Sequence, residues 1–86
     1  MSTLKTISAR QCRAARGLLG WSQDQLAEAA NVARATIANF ETGKSLPVAN
    51  NLAAIRSAFE ASGVVLIPEN GGGDGVRMKD RQSSGQ

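Results

Sequence analysis

With 86 residues the chain has room for one small domain, whose core is only marginally large enough and gains from association with a second copy. No histidine and only one cysteine are present, so an internal disulfide, a clustered metal site and a base beside a nucleophile are all lacking; the chain reads as neither an enzyme nor a metal or cofactor protein. The net charge of +3 is uneven, with seven basic and three acidic side chains in residues 1–59, or +4, against three and four in residues 60–86, or −1, which puts the basic character in the N-terminal part.

The first predicted element opens at Ser8, which with Gln11 has the spacing of a capping box. Cys12, Ala15 and Leu19 then recur at helical spacing, flanked by Ala14 and Leu18, until Gly20 closes the segment. At that spacing Cys12 reads as a small core group rather than a reactive thiol. Arg10, Arg13 and Arg16 fall at helical spacing too and would form a basic ridge. Ser22 and Gln25 repeat the capping box, so a second helix starts at Gln23, with Leu26, Ala27 and Ala30 on its dry face and Gln23, Asp24 and Glu28 elsewhere. Asn31 follows, and Asn adopts the left-handed turn conformation more readily than other non-glycine residues.

A third helix is predicted from Arg34 to Glu41. Ile37 and Phe40 point inward, with Val32 just outside the helix, while Arg34, Ala35, Thr36 and Asn39 point outward; Gly43 supplies the stop. Two helices of about two turns each are marginal alone. A fourth segment supports them, in which Pro47 suits a first helical turn and Leu52, Ile55 and Phe59 recur until Gly63. The run from Trp21 to Lys44 is thus two short helices meeting at a tight turn, the form of a DNA-reading helix-turn-helix.

Beyond Gly63, a β-branched run from Val64 to Ile67, a Pro-Gly-rich loop and an alternating stretch from Val76 to Lys79 predict a β-hairpin. A lone hairpin is marginal and has a bare edge, so it should pack on the last helix, pair with its copy in a second subunit, or both. Val64, Val65, Leu66, Ile67, Val76 and Met78 are the candidate dimerisation residues. The expected organisation is residues 1–63 as the DNA-binding part, 64–79 as the hairpin and 80–86 as a disordered tail. Apolar runs such as Val64 to Ile67 are far too short for a signal peptide or membrane span, and a cytoplasmic, nucleoid-associated protein is expected.

The residues Arg16, Ser22-Gln23, Leu26-Ala27, Asn31-Val32, Thr36-Ile37 and Glu41-Thr42-Gly43-Lys44 resemble, in identity and spacing, the lambda-repressor-like (Cro/XRE) helix-turn-helix regulators of bacteria and phages. The resemblance covers about residues 8 to 63. It implies a mainly α fold, a compact four-helix domain here followed by the hairpin, with the third helix in the DNA major groove of a palindromic operator and the protein acting as a homodimer. Carried over by position, it implies base reading by Arg34, Ala35 and Asn39, with Thr36 at the edge of the groove. Gln23 takes the place of the family's phosphate-binding glutamine at a helix N-terminus, with Ser22, Thr42 and Lys44 as secondary phosphate contacts. Arg16 is expected to pair with Glu41. The chain departs from the family at Ala33, where Ser or Thr often caps the recognition helix.

The side-chain chemistry agrees with those roles. A guanidinium donates in a bidentate way to guanine O6 and N7, a carboxamide pairs with adenine N6 and N7, and Ala35 can touch only a thymine methyl. Arg34 lies in a first helical turn, where the macrodipole disfavours a cation, so its charge needs another justification. Two functions follow. One is a dimeric transcription regulator reading double-stranded DNA; the other is an antitoxin-like protein whose C-terminal strand adds to a partner's sheet and whose DNA binding serves autoregulation.

Overall fold

Helix α1 (Ala9–Leu19) starts at the expected box: Ser8 Oγ accepts the Gln11 backbone N–H at 3.1 Å, and Gln11 Oε1 accepts that of Ser8 at 3.0 Å. Helix α2 (Gln23–Ala30) repeats it, with 3.0 Å from the Gln25 N–H to Ser22 Oγ and 2.7 Å from the Ser22 N–H to Gln25 Oε1. The computed structural model describes residues 6–69 and 71–79, so the tail at 80–86 lies outside the described residues. Asn31 ends α2 at φ 59°, ψ 46°, the one non-glycine residue at positive φ among those described. Its left-handed backbone turns the chain abruptly into α3 (Arg34–Glu41). At the start of α3 Ala33 has the extended conformation of an N-cap, but no side chain to accept a bond.

Helix α4 (Ala49–Ala61) begins two residues after Pro47, which corrects the expected placement of that proline in the first turn. Val48, itself extended, is the N-cap and offers no side-chain bond. The fixed φ of Pro47 therefore stiffens the approach to the helix rather than its start. Strands β1 (Val64–Ile67) and β2 (Gly75–Met78) form the hairpin, antiparallel with Val64 opposite Met78 and Leu66 opposite Val76. The second strand starts one residue earlier than the alternation predicts and ends at Met78.

Phe59, Leu26, Ile37, Ile55 and Cys12 are the largest fully buried side chains, and one apolar cluster joins them to Ile7, Ala15, Phe40, Val64 and Leu66. The periodic positions assigned inward from sequence are thus the ones that meet. Helix α2 packs on both α3 and α4, α1 packs on α3 and β2, and β1 lies on α4. Trp21, half-buried between α1 and α2, stacks on Phe59 with ring centroids 5.9 Å apart. The period of 3.6 cannot find Trp21, because it belongs to no helix.

The hairpin is held by polar contacts as well as by its apolar face. Gln11, 5 % exposed, donates Nε2 to the carbonyls of Ile67 and Gly75, each at 3.0 Å. Asp74 accepts from the Ser8 hydroxyl and from Arg10 Nη2. These contacts, the hydrogen bond from Ser8 foremost, hold the Asp74 carboxyl below its ordinary pKa. The hairpin loop is thereby tied to the N-terminus of α1, where a carboxylate is also favoured by the helix dipole.

Candidate nucleic-acid interface

Glu41, at the last turn of α3, is the hub from which the motif is positioned. Its side chain is 3 % exposed, and Arg16 of α1 meets it as a two-pronged fork, Nε to Oε2 and Nη2 to Oε1, both at 2.7 Å. Arg16 Nη1 also donates to the Trp21 carbonyl at 2.9 Å. Gln23 Nε2 reaches Oε1 at 3.0 Å, and the Cys12 thiol reaches Oε2 at 3.1 Å. One carboxylate therefore joins α1, the first residue of α2 and the end of α3. Burial raises the pKa of Glu41, but the hydrogen bonds from Arg16, Gln23 and Cys12 and the charge of Arg16 outweigh it, so the group stays below the ordinary carboxylate value. Burial, then the hydrogen bond and charge of Glu41, push the Cys12 thiol far up, so it remains protonated.

Around this hub the sequence-assigned residues occupy two adjoining elements. On α3, Arg34 and Ala35 are exposed, and Thr36 and Asn39 are half-buried, all outside the face that carries Ile37 and Phe40. On α2, Ser22 is exposed and Gln23 half-buried at the helix start. The Ser22 oxygen accepts the Gln25 N–H, which leaves its hydroxyl hydrogen to donate outward. Gln23 keeps one amide N–H after its bond to Glu41. Together with the open backbone N–H groups of the first turn, these form an anion-favouring end.

Thr42, expected as a secondary phosphate contact, turns its hydroxyl hydrogen back: Oγ1 donates to the carbonyls of Ala38 and Asn39, at 3.1 and 3.3 Å. Such back-bonding satisfies helix-end carbonyls and leaves only the oxygen lone pairs, which repel a phosphate. Lys44 stands exposed beyond the helix. The predicted ridge of three arginines is corrected as well. Arg10 pairs with Asp74 at 3.3 Å, Arg13 Nη1 donates to the Glu41 backbone carbonyl, and Arg16 is committed to the Glu41 carboxylate. Charge at helical spacing met acceptors from α3 and the hairpin that no local pattern reveals.

Arg34 has a partner that sequence reasoning missed. Its Nε lies 3.0 Å from Oδ1 of Asp24, the second residue of α2. The two are ten positions apart and become neighbours only through the turn at Asn31, so no short-range spacing rule points to them. The hairpin also alters the expected dimerisation set. Val64 and Leu66 are 2 % and 7 % exposed and belong to the chain's own core. Their side chains are thus unavailable to a second subunit, and Val76 also packs against that core. Val65 and Ile67 occupy the opposite face of β1, and Met78 is 37 % exposed.

No helix among the described residues is long and apolar enough to cross a membrane. A family model described as helix-turn-helix (HTH_3) matches residues 13–66, more than half of the chain. No curated protein matches the sequence.

Proposed function

The chain belongs to this Cro/C1-type, lambda-repressor-like helix-turn-helix family of DNA-binding regulators, and from that membership we propose that it is a homodimer that reads specific bases in the major groove through α3. The observation that carries the proposal is the outward placement of exposed Arg34 and half-buried Asn39 on α3 beside the open N-terminus of α2, with both helices fixed by the buried carboxylate of Glu41.

An eight-residue helix is about 12 Å long, comparable to the width of the major groove. Arg34 and Asn39 are five residues apart, or about 7.5 Å along the axis, close to two base-pair steps. Arg34 then donates to guanine O6 and N7 and Asn39 pairs with adenine about two steps away, each contact worth about 1–3 kcal/mol of discrimination. Ala35 lies against a thymine methyl, and Thr36 borders the groove. Anchoring, which carries no sequence information, falls to Ser22, Gln23, the first-turn amides of α2 and Lys44. Of the originally assigned anchors Thr42 is the weakest, because its hydroxyl hydrogen is engaged within α3.

Dimerisation we assign to the hairpin, through a free strand edge and the outward Val65 and Ile67, with Met78, opposite Val64 on the other face, partly exposed at the hairpin's end. The same edge suits strand addition by an unrelated protein, the arrangement of an antitoxin-like partner binder. Selection of bound sequences from random duplex DNA tests the proposal. A regulator of this kind enriches a two-fold symmetric site with half-sites about 10–10.5 base pairs, or a multiple, apart. Enrichment of no sequence, with affinity dependent on salt alone, would contradict it.

A further inference from the structure

The Asp24–Arg34 pair joins the leading ends of α2 and α3, at the second and first helical positions respectively. The side chains are 77 % and 61 % exposed. So exposed a pair adds little to stability. It does stand beside Ser22 and Gln23, however, where a polyanion is to be anchored and a carboxylate opposes binding. The contact answers the puzzle of a cation in a first helical turn, since Asp24 offsets the unfavourable dipole there.

The atom engaged matters as much as the charge. A guanidinium carries five N–H groups in a rigid fork. Asp24 Oδ1 lies beside Nε, at 3.0 Å, and the paired N–H groups of the terminal Nη1 and Nη2 are the ones that match O6 and N7 of guanine. Without the contact the long arginine chain is free to swing to the nearest phosphate, which carries no sequence information. We propose that Asp24 is a positioning residue for base readout: it holds Arg34 by Nε so that the terminal nitrogens face guanine, and it weakens sequence-independent attraction to the backbone. This rests on Arg34 being a base reader.

The test uses the full chain, a duplex carrying the sequence that it selects, and duplexes in which each base pair of that site is replaced in turn. Arg34→Ala removes the preference for guanine at one position and so identifies it. Asp24→Asn, with an unchanged circular dichroism spectrum, lowers the preference at that same position by roughly two- to five-fold, the range of an exposed ion pair. It leaves other positions unaltered and tightens binding to unrelated duplex. Glu28→Gln removes the same charge from an exposed site on the same helix and leaves the preference intact. An unaltered preference in Asp24→Asn, or an equal loss in Glu28→Gln, overturns the role of Asp24. A preference retained in Arg34→Ala overturns the assignment of Arg34 itself.

Discussion

Replacing Arg16 by methionine keeps much of the side chain's reach and leaves a buried carboxylate without its cation. Two hydrogen bonds of 2.7 Å to Glu41 and one of 2.9 Å to the Trp21 carbonyl are lost. Glu41 is 3 % exposed, so water cannot take the place of the guanidinium, and Gln23 and Cys12 are the partners that remain. Breaking a buried pair costs about 3–5 kcal/mol. Arg16 is itself 21 % exposed, which favours the lower end, about 3 kcal/mol. Against a total of roughly 5–15 kcal/mol, that is a large loss.

Acidity supplies a second, independent signature. In the parent the folded pKa of Glu41 is below the unfolded one, so its contribution is present above the ordinary glutamate range and is lost as pH falls through the folded value. In the variant burial prevails and the folded pKa rises above the unfolded one, which reverses the sign. The penalty is then full at neutral pH and relieved as pH falls through the raised value. Urea unfolding, followed by the fluorescence of the single tryptophan, Trp21, reads both effects. The midpoint should fall at constant slope, and the deficit should narrow as pH falls from neutrality toward the ordinary glutamate range. Arg16→Met combined with Glu41→Leu should recover much of the loss. An unchanged midpoint, or a deficit independent of pH, would refute the reasoning.

Three further outcomes are expected. Ala33→Ser puts a hydroxyl on a backbone already at φ −69°, ψ 143°, and should stabilise the protein by about 1 kcal/mol; calorimetry should show a rise in Tm of about 4–8 °C. Cys12, fully buried and protonated, should resist an aromatic disulfide reagent at about pH 8 and react only as urea unfolds the chain. Val65→Glu places a carboxylate opposite Arg77 in the hairpin, so folding should survive. Dimerisation through that face should not, and a dimer unchanged in sedimentation would exclude the hairpin as the interface. This substitution is a cleaner test than truncation before Val64, which would also remove core.

Most of the fold was legible because its signals are local. Two capping boxes, an Asn turn and the apolar period of α1 to α4 determine four helices within short windows, and the β-branched run does the same for the hairpin. Ala33 was legible as an uncapped start for the same reason. What escaped depends on contacts between distant segments. Gln11 looks like a cap partner and is one, yet its amide also fastens both strands of the hairpin. Arg10 and Arg13 look like a wet ridge until Asp74 and the end of α3 are brought to them. Asp24 and Arg34 illustrate the limit within the motif itself, since helical spacing orders each helix and says nothing of which side chains meet across the turn. The continuous apolar run likewise marked both faces of β1 as apolar but could not say that Val64 and Leu66 face inward.

The central claim is that α3 chooses sequence through Arg34 and Asn39. Its most direct test is selection from random duplex DNA by the parent, Arg34→Ala and Asn39→Ala, each checked for folding. Two distinct losses of base preference are predicted, a guanine position for Arg34 and an adenine position about two base pairs away for Asn39. Identical selected sequences from all three proteins would contradict the account.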